Sequence, residues 1–269
     1  MQINANAETN DQLLMHYQKA SEVYHDMFYR YDTPYETWLV DCIMQQARTV
    51  PLVRTSLVAD VGGGTGRFSS LIYKAAGLIN DVKCVDFSKK MLDSAGKLNG
   101  VDAVHQDCVD FANGVQVNSF DMFLIKEMIH HLPVAHLNTF YSNLHRGLRR
   151  NGLCLTITRP KDNIDYPMFE AAKSVWSRNQ PSAEIFEAAM VAAGFTRTTV
   201  LLRTFPIQVP KSAWLRFIAG RVWSTFDHQN FSNDELAKGI ADLEDLMVAD
   251  EHGDITFEER LVFVVGFKG

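Results

Sequence analysis

The turn Asp60-Val61-Gly62-Gly63-Gly64-Thr65-Gly66 constrains this chain more than any other stretch. It follows the short apolar run 57–61 and opens an amphipathic stretch at 68–76, so it reads as strand, tight turn and helix. Glycines at such a turn let the backbone pass close to a ligand. They also leave amide N–H groups at the positive end of a helix. The alternation continues down the chain, with strand-like runs at 82–86, 101–105, 120–125 and 153–158 and helical stretches at 88–98 and 133–146. Strands alternating with helices predict right-handed crossovers on a parallel sheet.

Farther on, a helix at 184–193 ends at Gly194, and strands are expected at 197–204 and 255–267. The about fifty residues between those strands exceed what one connection needs. They contain two predicted helices, 211–222 and 234–248, the second opened by the capping-box pattern Ser232-Asn233-Asp234-Glu235. Helical segments at 11–28 and 34–49 precede the first strand. The expected organisation is an N-terminal helical lid (1–56), an α/β core (57–206), a helical cap insertion (207–253) and a final strand (254–269).

Composition narrows the function. The 269 residues are 46% hydrophobic and 22% charged, as in a soluble globular protein. A net charge of −6 lacks the broad basic footprint of a nucleic-acid binder. Cys42, Cys84, Cys108 and Cys154 form no CxxC pair, and no histidine stands at zinc-finger spacing, so neither a disulfide framework nor a metal site is expected. The first residues carry no basic patch followed by an apolar stretch, and no apolar run approaches membrane-spanning length. A cytoplasmic protein is the expectation.

Two acids stand where a nucleoside would want them. Asp86 ends the second run, where a carboxylate accepts both hydroxyls of a ribose, and Asp107 after the third run is placed to take the exocyclic amine of an adenine. Together VADVGGGTGRFS, KCVDFS, HQDCVDF, FDMFLIKEMIHHL and LRRNGLCLTI resemble, in order and spacing from about 58 to 158, a class I S-adenosylmethionine-dependent methyltransferase. The broad set that this chain resembles includes trans-aconitate and other small-metabolite methyltransferases. The resemblance implies a Rossmann-like α/β fold: a seven-stranded, mostly parallel sheet with helices on both faces, its last strand antiparallel, plus a helical cap. It implies S-adenosylmethionine as cofactor, with Asp60 ordering the loop beneath it and Gly62, Gly64 and Gly66 giving backbone approach. It further implies Asp86 on the ribose, Phe87 against the adenine, Asp107 and Cys108 at the adenine edge, and Lys126 beside the methionine moiety. The tetrapeptide Ile125-Lys126-Glu127-Met128 is unlike the Asn-Pro-Pro-Tyr type of nucleic-acid methyltransferases.

For acceptor chemistry, His130 and His131 follow the fourth strand, at the mouth where open parallel sheets bind ligands. His131 is the candidate base or orienting group, because successive residues are not expected to face one pocket; Glu127 is a weaker candidate. Tyr24 and Tyr31 in the N-terminal stretch are candidate pocket contacts. Between 188 and 226 there is no acidic residue, while Arg197, Arg203, Lys211, Arg216 and Arg221 are interleaved with Trp214, Phe217, Trp223 and Phe226. One reading pairs this basic stretch with the acid-rich 227–259. The other is a cap in which Arg216 or Arg221 meets an anion and Trp214 or Phe217 covers an apolar ligand, with Arg159 on the same mouth. O-methylation of a small anionic acceptor, a carboxylate or phenolate, is the first expectation. N-methylation of a small amine and a non-catalytic S-adenosylmethionine-binding protein are the alternatives. The oligomeric state is open.

Overall fold

A computed structural model describes residues 33–48 and 52–269. Among these residues the chain forms one seven-stranded sheet of order β3-β2-β1-β4-β5-β7-β6. Its strands are β1 (Val58–Val61), β2 (Val82–Asp86), β3 (Val101–His105), β4 (Phe120–Lys126), β5 (Leu148–Thr158), β6 (Arg197–Pro210) and β7 (Asp254–Phe267). The helices are α1 (Thr33–Ala47), α2 (Arg67–Ala76), α3 (Lys89–Ala95), α4 (Cys108–Gly114), α5 (Val134–Gly147), α6 (Glu170–Asn179), α7 (Ala183–Ala192), α8 (Lys211–Ala219) and α9 (Asn233–Leu246). β1 to β5 pair in parallel and β7 runs antiparallel to β5, as the family resemblance implied.

The chain divides into two compact units. One contains 37–159, 182–203 and 261–269; the other contains 160–181, 204–260 and, among the described residues, 33–36. The sequence-based boundaries put 160–181 in the core, whereas its contacts group it with the helical residues after 204.

In the first unit β1, β2, β4 and the second half of β5 are buried on both faces, successive side chains pointing to opposite sides, whereas the edge strand β3 is largely exposed. Val85 joins Ala59, Val61, Phe123 and Ile125 against Phe140, Tyr141 and Leu144 of α5 and Phe186 and Met190 of α7. Its neighbour Cys84 packs on the other face with Leu92 and Ala95 of α3. The fully buried Tyr141 hydroxyl lies 2.9 Å from Thr156 Oγ1, which satisfies both groups.

The second unit is built on aromatic rings. Tyr166, Trp176, Trp214, Trp223 and Phe257 are all buried. Trp214 stacks on Phe217 at 5.2 Å, Trp223 meets Tyr166 edge-on at 4.9 Å, and Trp214 Nε1 donates to the Pro167 carbonyl (2.8 Å). Tyr166 donates to the fully buried Glu259 at 2.6 Å. The capping box of α9 forms as the sequence predicts, Ser232 and Glu235 each bonding the other's backbone N–H.

Several boundaries shift. α8 stops at Ala219 instead of near 222, because Gly220 caps it and Arg221 turns left-handed at φ 52°. β6 runs on to Pro210, and the short helices α4 and α6 carry no periodic stretch long enough to announce them. The predicted helix 11–28 lies outside the described residues. No helix among the described residues is long and apolar enough to cross a membrane, and no group of three metal-ligating side chains occurs there.

Candidate active site

The C-terminal ends of the five parallel strands place the candidate residues along one edge of the sheet. β1 ends in the glycine turn, which is fastened to β2 because the amides of Gly62 and Gly63 both donate to the Val85 carbonyl (2.7 and 3.1 Å). Gly62 and Gly64 adopt φ of 77° and 56°, a region that L side chains avoid. A methyl on Gly62 would lie 2.5 Å from Met128 Cγ, whereas one on Gly64 would meet no protein atom within 4 Å. The loop is thus packed on one side and open on the other, the form expected of a ligand cradle. Gly66 caps α2 in the left-handed conformation.

Asp60 is 2% exposed, and its Oδ2 accepts from Ser69 Oγ at 2.7 Å. Its Oδ1 is buried with no hydrogen-bond partner among the described residues. Burial pushes its carboxyl up to about 6, against the opposing pull of the Ser69 bond and the Lys126 charge. An unpartnered buried carboxylate oxygen is costly in the empty protein and fits a ligand that brings a donor or a positive charge. Asp86, also buried, accepts from the Gly64 amide (2.9 Å) and the Ser88 amide (2.8 Å); burial raises its carboxyl and those two bonds oppose the rise. Phe87 beside it is half-buried, and its carbonyl accepts from His105 Nε2 at 3.0 Å.

Asp107 caps α4. Its Oδ1 accepts from the amides of Val109 (2.7 Å) and Asp110 (3.3 Å), which leaves Oδ2 for a ligand. Cys108 opens that helix, and burial pushes its thiol up to about 12, so it contributes backbone and shape, not a thiolate.

β4 ends in a charged cluster. Lys126 Nζ sits 4.7 Å over the Phe68 ring and donates to Glu127 Oε2 at 2.9 Å. Glu127 is left-handed (φ 56°), and its other oxygen pairs with Arg159 at the end of β5. The chain then enters a 3₁₀ turn, Ile129–His131, where the His130 and His131 rings lie 4.0 Å apart, tilted by 44°. The tight turn brings the two rings together.

The remaining candidates fall in the second unit. Trp214 and Phe217 pack in its aromatic core, and Arg216 is exposed on α8. Arg221 donates to the carbonyls of Phe226 (2.5 Å) and Phe231 (2.9 Å) and to Asn233 Oδ1 (3.2 Å), tying down the segment between α8 and α9. Tyr24 and Tyr31 lie outside the described residues. Two contributors escaped sequence reasoning. Ser69, in the first turn of α2, could have been found from its place just after the glycine turn; Met128, packed on Gly62, had no pattern to mark it.

Residues 58–152 match the family described as methyltransferase domain. Among solved structures, the chain is similar to the YcgJ protein of Bacillus subtilis (15% identity over 85% of this chain and 97% of that one, TM-score 0.56). It is also similar to the [4+2]-cyclase SpnF (14%, 97% and 96%, TM-score 0.61). A third is the geranyl diphosphate C-methyltransferase of Streptomyces coelicolor A3(2), in complex with S-adenosyl-L-homocysteine (12%, 98% and 86%, TM-score 0.54). At such identities the likeness is one of fold. No curated protein matches the chain. The family match shows that residues 58–152, from β1 into β5, form a methyltransferase domain, an enzyme fold whose cofactor is S-adenosylmethionine.

Proposed function

We propose that the protein is a cytoplasmic methyltransferase of small molecules that methylates an oxygen of an anionic acceptor, a carboxylate or a phenolate. The observation that carries this reading is the charge balance where β4 and β5 end: Lys126 and Arg159 both engage Glu127, with His130 and His131 on the next turn. That set has more positive than negative groups, which suits an acceptor bringing negative charge. Glu127, the acid of this cluster, already meets two cations, which weighs against a role in holding an ammonium acceptor. The finer likeness to trans-aconitate and other small-metabolite methyltransferases belongs to the same proposal.

S-adenosylmethionine supplies an electrophilic methyl group on a sulfonium. The chain's own part is to hold and orient. Asp60 and the amides of the glycine turn take the methionine end, Asp86 the ribose, and Phe87 and Asp107 the adenine. Arg159 orients the acceptor anion, and His131 accepts a proton when the acceptor hydroxyl carries one. A carboxylate acceptor needs no base.

The test is S-adenosylhomocysteine release by the purified chain with panels of carboxylates, phenols and amines. Turnover with acids or phenols, and methyl on oxygen in the product, is the expected result. Turnover confined to amines would overturn it in favour of N-methylation. Donor-product binding with no turnover on any panel would favour a non-catalytic binding protein. With a phenolic acceptor, His131→Ala should lower kcat by about tenfold or more and leave S-adenosylhomocysteine affinity within about twofold.

A further inference from the structure

Glu127 stands out because the methyl-transfer reading gives it no contact with donor or acceptor. It has a left-handed backbone, which costs a non-glycine residue about 1–2 kcal/mol. Its side chain is 8% exposed, yet it carries a carboxylate between two cations. Its amide donates to the Ile157 carbonyl at 2.7 Å, which fixes the end of β4 against β5. On one side is Lys126, over the Phe68 ring of α2. On the other is Arg159, 7% exposed at the end of β5. The next residue, Met128, lies against Gly62 of the donor loop. Asp60, the buried acid of that loop, sits on β1 opposite Leu124, two residues before Lys126 on β4.

We propose that Glu127 is a positioning residue: by clamping Lys126 and Arg159 together, it sets how much of the lysine charge reaches Asp60 in the donor site. The charged and polar groups facing Asp60 are Lys126 of β4, Ser69 of α2, and Asp86 and Cys84 of β2. Lys126 is the cation among them and favours the ionised form of Asp60, while burial and the Asp86 charge oppose it. Glu127 is a counter-charge on Lys126. Removing it strengthens the lysine's effect on Asp60, and removing the lysine abolishes it. The inference rests on the donor site alone and is independent of which acceptor the enzyme takes.

Calorimetric titration with S-adenosylhomocysteine across the range from pH 5 to 8 tests this on the whole protein without turnover. Binding to the ionised Asp60 makes affinity rise as the pH passes through about 6. Glu127→Gln should move that midpoint down by about half a pH unit, and Lys126→Met should move it up. The double variant should follow Lys126→Met, since the clamp acts through the lysine. Glu127→Asp should keep a midpoint near that of the wild type. Glu127→Asn, which tolerates the left-handed backbone, repeats the test should Glu127→Gln fold poorly. A midpoint that moves with Lys126→Met but with neither Glu127→Gln nor Glu127→Asn reduces Glu127 to a structural part and overturns the proposal. A midpoint unmoved by Lys126→Met overturns it as well. Absence of S-adenosylhomocysteine binding in the wild type would instead strike at the donor site.

Discussion

Replacing Asp60 with asparagine should make the ligand-free protein more stable relative to wild type as pH rises, although it removes a carboxylate that we propose for the donor site. An aspartate in the unfolded chain releases its proton near 3.8, while in the folded protein burial holds the carboxyl at about 6. The native state therefore binds the extra proton between those values. Asp60 costs nothing below pH 3.8, and its destabilising ionisation develops as pH rises towards and past 6. At about 1.36 kcal/mol per unit between the two values, the full penalty is about 3 kcal/mol. About 1.4 kcal/mol of it accrues between about pH 5 and about pH 7.5. Asparagine never ionises, so that difference vanishes from the variant. Its amide oxygen still accepts from Ser69, and its Nδ2 occupies the place of the unpartnered Oδ1. The cost of that buried NH₂, about 1–3 kcal/mol, is independent of pH and drops out when two pH values are compared. Urea unfolding of wild type and variant at both pH values measures it. The variant should gain about 1.4 kcal/mol relative to wild type on going up in pH, and S-adenosylhomocysteine affinity should fall. A stability difference that stays flat, or shrinks, between those pH values would refute the reading of Asp60 as a buried carboxyl held above its ordinary range.

Two further outcomes follow from geometry. Gly64→Ala should cost about 1–2 kcal/mol, the strain of a left-handed alanine in open space. Gly62→Ala should cost clearly more, because its methyl would lie 2.5 Å from Met128 Cγ; equal urea midpoints for the two would contradict this. Arg221→Met should lower stability by about 1–2 kcal/mol by freeing the Phe226 and Phe231 carbonyls, while Arg216→Met should stay within about 0.5 kcal/mol. Comparable losses in thermal unfolding would put Arg216 in a structural role as well.

The parts of the fold that could be read from the chain are those in which a local pattern answers to one physical cause. A buried parallel strand needs a continuous apolar run, and a close backbone approach needs glycine, so β1, β2, β4 and the turn at 62–66 were legible. Ser88 and Ser232 announced their helices because a cap is a local hydrogen bond. α6 was hidden for the opposite reason: Phe169 at its N-cap offers no side-chain acceptor. Asp107 has two chemistries available, capping α4 and meeting a ligand, and the sequence displays only the residue. Basic residues interleaved with aromatics mark a ligand cap and a small aromatic core equally well. Only packing distinguishes Trp214 and Arg221, one buried among rings and the other bonded to carbonyls. The clamp at Glu127 depends on β5, about thirty residues later, and no local pattern encodes a partner that distant.

The aromatic core of the second unit also makes the protein its own optical reporter. Three of the four tryptophans in the chain belong to it: the Trp223 ring lies 5.6 Å from that of Trp176 and 5.8 Å from that of Trp214, Tyr166 lies 5.5 Å from Trp176, and Trp38 is on α1. Intrinsic emission is therefore weighted towards the helical unit, whereas the backbone dichroism of the sheet comes largely from the other. Followed together through a denaturation, the two signals separate loosening of the helical unit from collapse of the sheet, without a label being added to either.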